Sequence, residues 1–156
     1  MRLTTKGRYG LRAVIDLAVN TDNGAMALSQ IADRQGISMN YLEQLIAKLK
    51  KSGIVRGIRG AQGGYLLAKP ADEISVGDIL RALEGDLSPV DCYELNSDDT
   101  PCSNSDICVT KYVWKRISDS INDTVDGIML SDLVVESKRV QAEVSIYDMK
   151  HSKQTC

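Results

Sequence analysis

Several kinds of residue and segment are scarce or missing in this chain of 156 residues. It has no phenylalanine, one tryptophan and six tyrosines, so the core has to be built from aliphatic side chains. No apolar run approaches the roughly 18 residues of a membrane-spanning helix. The apolar stretch after the first basic residues is short and is interrupted by Asp16, which is atypical of a secretory signal. We expect a cytoplasmic protein of one domain, with or without a small extension.

The groupings of residues that catalysis and nucleotide binding require are also missing. No acid–base or nucleophile constellation is recognisable, so we do not expect an enzyme. The glycine-rich stretch 57–64 is not followed by a GK[ST] motif and does not open a helix. It is therefore a weak candidate for a phosphate-binding loop.

Charge is distributed unevenly between the two halves of the chain. Residues 1–70 contain 11 Lys and Arg against 4 Asp and Glu, a balance of +7, whereas residues 71–156 contain 8 against 17, a balance of −9. The overall net charge of −2 hides this asymmetry. A basic first half indicates a polyanion as its partner.

Helical periodicity in the basic half predicts a helix-turn-helix. Apolar residues recur at helical spacing over 5–20 and 28–35, and again in a helix that Ser38 or Asn40 caps and Gly53 ends. The tight turn at 36–38 between the last two is typical of the motif. The final helix has a polar face of the width that enters a DNA major groove, formed by Tyr41, Gln44, Lys48 and Lys51. An ordinary solvated surface is the alternative.

Two short strands, 54–56 and 65–68, follow the helix-turn-helix and are joined by GIRGAQGGY. Its glycines permit a tight, exposed hairpin with Arg59 at the tip. Such a hairpin describes a wing, whose arginine can enter a minor groove. A short helix capped by Ser75 completes the domain. The expected fold is mostly α with a small β-wing, a winged helix-turn-helix domain over residues 1–86.

Residues 87–108 form a polar, acidic loop that carries Cys92, Cys102 and Cys108, separated by nine and five residues. In a reducing compartment such clusters favour metal binding over a stable disulfide. Zinc is the alternative, but C-x₂₋₄-C pairs are absent. No Lys or Arg lies between Arg81 and Lys111, and the carboxylates of the loop should disfavour free thiolates, so a reactive thiol fits poorly.

A second helical pattern covers about residues 107–127, beyond the loop. Ile107, Trp114, Ile121 and Ile128 are seven residues apart, a seam that predicts pairing with a second copy. Packing back onto its own domain is the alternative. We expect this long dimerisation helix and a short final helix within 107–135, and a poorly ordered polar tail over 136–156.

Three stretches together resemble the IscR family of bacterial regulators: MRLTTKGRYGLRAV, ISMNYLEQLIAKLKKSGIVRGIRGAQGGYLLAKP and the three cysteines before a long helix. The resemblance implies a homodimeric winged-helix transcription factor that binds a double-stranded DNA operator. It also implies a 2Fe–2S cluster on Cys92, Cys102 and Cys108. The residues that match the family's base- and backbone-reading positions are Ser38, Asn40, Tyr41, Glu43 and Gln44, with Arg59 as the minor-groove arginine of the wing.

The chemistry of the side chains on and near the recognition helix predicts how each would contact DNA. Asn40 and Gln44 can pair with adenine edges, and Glu43 can accept from cytosine N4. Lys48, Lys51 and Arg56 suit phosphate contacts.

The cysteine loop departs from the family pattern in two places. The first gap, nine residues, is longer than the family's usual five, and Lys111 stands where that branch has a histidine. The fourth cluster ligand therefore stays open. The candidates are His151 and Cys156 in the tail, a carboxylate among Asp91, Glu94 and Asp106, and a group from the partner subunit.

The resemblance implies a regulator that senses cluster status and controls iron–sulfur cluster assembly genes. Two alternatives stay open. One is a regulator of the same fold that responds to nitric oxide or redox stress. The other is a cluster-free regulator of cysteine metabolism that a partner enzyme controls, with the acidic half as its docking surface.

Overall fold

The computed structural model describes residues 3–20, 22, 24–90, 104 and 106–151. Six α-helices and one antiparallel pair of strands make up this part of the chain: α1 (Thr5–Val19), α2 (Leu28–Gln35), α3 (Met39–Lys51), β1 (Val55–Ile58), β2 (Gly64–Leu67), α4 (Val76–Glu84), α5 (Thr110–Asp126) and α6 (Leu130–His151). None of the helices in these ranges is both long enough and apolar enough to cross a bilayer.

The helix-turn-helix forms where the sequence predicts it. Gly36 ends α2 in the left-handed conformation, with φ of 63°, and its N–H donates to Ala32 O. Ser38, rather than Asn40, caps α3, because its hydroxyl accepts from the Tyr41 N–H at 3.3 Å. The turn between α2 and α3 is therefore the predicted stretch 36–38.

The wing is a hairpin in which Val55 pairs with Leu67 and Ile58 with Gly64, so both strands lie within a residue or two of their predicted bounds. Met26 adds a bridge that the sequence did not predict, since its N–H and C=O bond Tyr65 at 2.9 and 2.8 Å. A Cβ on Gly64 would overlap the Met26 carbonyl oxygen, which explains the glycine at the start of β2. The wing is thus fixed by backbone bonds from Met26 to β2 close to the loop end of the hairpin.

Helices α1 and α4 approach each other closely through glycine. A Cβ on Gly10 would overlap Leu83 Cδ1, and one on Gly7 would lie 2.7 Å from Glu84 Oε1. The capping box that starts α4 is complete, with Ser75 Oγ accepting from the Asp78 N–H and Asp78 Oδ2 accepting from the Ser75 N–H, each at 3.0 Å. The close approach of Gly7 and Gly10 to Glu84 and Leu83 places the end of α4 at the start of α1.

The core between these helices is aliphatic, as the absence of phenylalanine requires. Its large, fully buried members come from α1 to α4, from Ile74 just before α4 and from the first residue of α6: Val14, Leu17, Ile31, Leu42, Leu45, Ile46, Leu49, Ile74, Ile79, Leu83 and Leu130. Burying each of these side chains contributes about 1.5–3 kcal/mol.

The structure corrects the sequence prediction for the C-terminal third. Helix α5 begins at Thr110 and ends at Asp126, so Ile107 and Ile128 of the predicted seam lie outside it. Helix α6 continues to His151 in place of a short helix and a poorly ordered tail from residue 136. Apolar periodicity is weak there because the distal half of α6 is exposed, but side-chain pairs such as Arg139 with Glu136 support the helix.

Candidate nucleic-acid interface and cysteine site

The exposed side of α3 carries most of the predicted DNA-reading residues. Four leucine and isoleucine side chains of α3 face the core. At 3.6 residues per turn, the opposite side is centred on Asn40, Gln44, Ala47 and Lys51, and all four are exposed. Ala47 lies between the longer side chains, so the ridge is narrow at its middle and can approach the floor of a groove.

Glu43 lies beside this ridge and is exposed. In the described ranges its carboxylate forms no hydrogen bond or ion pair, so both oxygens are available as acceptors. An acidic side chain on a DNA-facing helix repels phosphate unless it accepts from a base. The geometry is compatible with the predicted role of Glu43 in specificity, and that role stays a prediction.

Ser38 and Tyr41 both have structural roles. The sequence predicts a capping role for Ser38 but gives no sign of the role of Tyr41. The Ser38 hydroxyl is engaged as the cap of α3. The Tyr41 ring packs edge-on against Tyr9 at 6.2 Å between centroids, and its hydroxyl bonds Thr5 Oγ1 at 3.1 Å. Tyr41 therefore ties α3 to α1, at the flank of the exposed ridge.

Lys48 has an intramolecular partner. Its ammonium donates to the Leu83 carbonyl oxygen, in the last turn of α4, at 3.1 Å. A cation at this position suits the partial negative charge at a helix C-terminus. Lys50 and Lys51 extend from the end of α3 and are exposed, and Lys50 is a cation of this region that the sequence analysis did not single out.

Arg59 lies at the exposed tip of the wing, as predicted. The tip is a tight loop in which the Gly63 N–H donates to Gly60 O at 3.0 Å, with φ of 115° at Gly60. A Cβ on Gly63 would overlap Ile58 O. Arg56, on β1, is exposed as well. Within the described ranges no carboxylate lies at ion-pair distance from either arginine, so both are available to a polyanion.

A buried carboxylate joins α1 to the end of α2, the first helix of the helix-turn-helix. Asp16, only 5% exposed in its side chain, accepts from Arg34 Nη2 at 2.5 Å and from Gln35 Nε2 at 2.7 Å. The bond from Asp16 is the first cause of the raised pKa of Arg34. Asp16 appears in the sequence only as an interruption in an apolar run, and pairing across α1 and α2 is non-local, so the sequence gives no sign of it.

Cys108 is the one loop cysteine within the described residues, since Cys92 and Cys102 lie outside them. It immediately precedes α5 and is partly exposed, with its sulfur 3.2 Å from Thr110 Oγ1. The hydrogen bond with Thr110 and the Lys111 backbone N–H lower the pKa of the thiol. The lowered pKa of Cys108 is opposite to the expectation from the acidic loop, and most of the carboxylates behind that expectation lie outside the described residues.

No group of three or more potential metal ligands occurs within the described ranges. Because Cys92 and Cys102 lie outside them, the three-cysteine site itself stays a prediction. Asp106 is exposed and stays among the candidates for the fourth ligand, as do Asp91, Glu94 and Cys156 outside the described residues and the tail His151.

Comparison with known proteins decides the family. Residues 3–136 match the family model described as Rrf2, iron-dependent transcriptional regulator. The chain belongs to the Rrf2 family. Its winged helix-turn-helix and mostly helical architecture agree with the solved Rrf2 structures that it resembles.

Three relatives are similar over most of their length. The chain is 42% identical to the HTH-type transcriptional regulator IscR of Pectobacterium atrosepticum, over 86% of this chain and 79% of that protein. The structure of T. potens IscR matches with a TM-score of 0.71 and 42% identity, over 90% of this chain and 91% of the other. CymR (YrzC), the global cysteine regulator of B. subtilis, matches with a TM-score of 0.69 and 40% identity, over 87% and 98%.

Proposed function

We propose that this protein is a homodimeric transcriptional regulator that binds double-stranded DNA operators and changes its operator affinity with the occupancy of a 2Fe–2S cluster. Control of iron–sulfur cluster assembly genes is the process that its similarity to IscR proteins supports. The observation that supports DNA binding is the exposed ridge of α3 together with a wing that has an exposed arginine at its tip.

The ridge supplies base readout in this proposal. Asn40 and Gln44 have amide groups that can bond an adenine edge with two hydrogen bonds, and Glu43 can accept from cytosine N4. Ser38 and Tyr41, at the start of α3, lie where a helix-turn-helix meets the sugar-phosphate backbone. Lys51 and Arg56 contact phosphate and supply affinity without specificity.

The wing supplies minor-groove readout. Arg59 lies at the exposed tip of a hairpin whose second strand is bonded to Met26 close to the loop, so the guanidinium can be presented without much loss of backbone entropy. Narrow, A·T-rich minor grooves concentrate negative potential and attract arginine. Arg59 therefore makes the operator preference depend on groove width.

The thiol of Cys108 fits cluster ligation, because iron binds the thiolate and the local hydrogen bonds favour that form. Cys92 and Cys102 complete the three-cysteine set, and the fourth ligand comes from another group of this chain or from the partner subunit. When bound, the cluster supplies a redox-sensitive cross-link of the loop. Cys108, two residues before the start of α5, would connect a bound cluster to that helix.

Pairing of two copies is assigned to α5. Val113 is 53% and Ile117 38% exposed, and a shallow apolar groove beside them is lined by Ile117, Ser120, Ile121, Thr124 and Val125. Exposed aliphatic side chains at i and i+4 along one helix face are typical of a helix–helix interface. Within α5, Ile121 belongs both to the predicted seven-residue seam and to this groove.

Operators can be obtained by selecting duplexes from a randomised library with the wild-type protein, and the test compares their dissociation constants. Arg59→Ala is expected to weaken binding by about tenfold or more on duplexes with A·T-rich flanks and much less on G·C-rich ones. Lys69→Ala, which removes another exposed cation near the wing, is the matched control and should weaken all duplexes alike. Equal loss on every sequence for Arg59→Ala contradicts minor-groove readout.

A second candidate is a cluster-free regulator controlled by a partner protein. The match to CymR, a cysteine regulator, favours it. The discriminating result is the operator affinity of protein purified without oxygen, before and after iron chelation. A change of several-fold on chelation supports cluster control, whereas an identical affinity favours the partner-controlled regulator.

A further inference from the structure

Helix α4 contacts both the recognition helix and the helix assigned to dimerisation. At its C-terminal end the Leu83 carbonyl accepts from Lys48 Nζ of α3 at 3.1 Å. Two residues earlier, Arg81 reaches α5, where Nη1 and Nη2 donate to the two carboxylate oxygens of Asp126 at 2.8 Å each. Nine residues of regular helix are short enough to move as one body.

The contact between α4 and α5 is geometrically specific. Arg81 Nη2 also donates to Asn122 Oδ1 at 2.8 Å, so one guanidinium grips two successive turns of α5. A Cβ on Gly77 would overlap Asp126 Oδ1, which means that glycine is needed for Asp126 to approach. On α5, Ser118 is 2% exposed, and its backbone oxygen accepts from Asn122 Nδ2 at 2.9 Å. Asn122, Asp126 and Ser118 are four residues apart and form one face.

From these contacts we infer that α4 sets the position of the recognition helix relative to α5, with Lys48 as the positioning residue at its contact with α3 and Arg81 as the one at its contact with α5. A displacement of α5 moves α4 through the Arg81 fork, and α4 moves the Lys48 end of α3 through the Leu83 carbonyl. This inference rests on the proposed function, in which α3 reads DNA and α5 follows the cysteine loop. It reassigns Lys48 from phosphate contact to orientation of α3.

A double-mutant cycle in operator affinity tests the coupling. Lys48→Met removes the bond to Leu83, and Arg81→Gln removes the fork to α5, using duplexes selected by the wild-type protein. Uncoupled substitutions multiply in their effects to within about twofold. We expect each single variant to weaken binding several-fold and the double variant to be no weaker than the weaker single variant, because either substitution interrupts the same polar path from α5 to α3. Multiplied effects would overturn the inference.

The salt dependence of binding separates orientation from direct phosphate contact. A lysine that neutralises one phosphate contributes about 0.9 to the slope of log Kd against log salt. The slope of Lys48→Met should equal that of the wild type, and a fall by about one overturns its role as a positioning residue. Lys115→Gln is the matched control, since Lys115 pairs with Asp119 within α5 and should leave affinity unchanged.

Misfolding of a variant and failure of the proposed function can each be distinguished from failure of the inference. The Arg81 and Asp126 side chains are 35% and 48% exposed, so their pair contributes at most about 1 kcal/mol to stability and Arg81→Gln should fold. Hydrogen exchange gives a readout without DNA: Arg81→Gln should speed exchange by about threefold or more at the C-terminal end of α3, where the Ser52 N–H bonds Lys48 O. Unchanged exchange there overturns the inference, whereas changed exchange in a protein that selects no duplex overturns only the proposed function.

Discussion

The clearest energetic prediction concerns Glu84, which holds the start of α1 against the end of α4. Its carboxylate accepts from the Thr4 N–H at 2.8 Å, from Thr4 Oγ1 at 2.8 Å and from the Gly7 N–H at 2.9 Å. These two N–H groups belong to the first turn of α1, where no helical acceptor exists. Glu84→Gln keeps one acceptor oxygen and removes the charge.

The expected loss follows from the contacts. A hydrogen bond to a charged group is worth about 1.5–3 kcal/mol when buried, and a negative charge at a helix N-terminus adds about 0.3–1 kcal/mol. Because the site is only partly buried and glutamine keeps one acceptor, we expect Glu84→Gln to lower the free energy of unfolding by about 1–2 kcal/mol. At this chain length that lowers Tm by about 2–8 °C.

The pH dependence gives a second readout. Partial burial raises the pKa of Glu84, but hydrogen bonds from Thr4 and Gly7 outweigh it and the net pKa is lowered. A lowered folded pKa stabilises the protein above the unfolded value of about 4.3 and loses that stabilisation as pH falls through the folded pKa. In urea unfolding, the difference in free energy of unfolding between wild type and Glu84→Gln should therefore be largest at pH 7 and should vanish below about pH 4.

Glu73→Gln is the control, because Glu73 is exposed and should show little change at either pH. A gap below about 0.5 kcal/mol at pH 7, or a gap that stays the same at low pH, would refute this account of how α1 begins.

Two further predictions follow from packing. Gly10→Ala should lower the free energy of unfolding by about 1–2 kcal/mol, because the new methyl overlaps fully buried Leu83. The cost of overpacking exceeds the gain in helix propensity. Gly24→Ala, in open space but at positive φ, separates steric overlap from backbone strain in the same melting assay. Ile117→Arg, on the exposed α5 face, should convert dimers to monomers in sedimentation experiments, whereas Asp119→Arg on another face should not. A monomeric wild type would contradict the dimer assignment.

The DNA-binding domain could be predicted from the sequence because its signals are local. Gly36 and Ser38 define the turn within three residues, and the glycines of the wing define a hairpin around Arg59. Short-range periodicity then places Asn40, Gln44 and Lys51 on the exposed side of α3.

The contacts that orient these elements could not be predicted, because they join residues far apart in the chain. Lys48 bonds a carbonyl 35 residues away, and Arg81 reaches Asp126 across 45. Likewise, the backbone bridge from Met26 to the wing has no side-chain signature. The extent of α6 was missed for a different reason: an exposed helix needs no apolar stripe, so periodicity underestimates its length.

Cys108 shows the limit of reasoning from net charge. The loop is rich in carboxylates, yet contact with Thr110 and the first turn of α5 lowers the pKa of the thiol. A contact within hydrogen-bond distance of the sulfur shifts its pKa, and only coordinates reveal that contact.

The most direct test of cluster control is the absorption spectrum, with iron, sulfide and zinc contents, of the protein purified without oxygen. The account predicts a brown protein with about two irons and two sulfides per chain, and loss of the visible bands in Cys102→Ser and in Cys108→Ser. Ser103→Ala, beside Cys102 in the same loop, should keep the colour. A colourless wild-type protein that contains one zinc per chain would contradict the central claim.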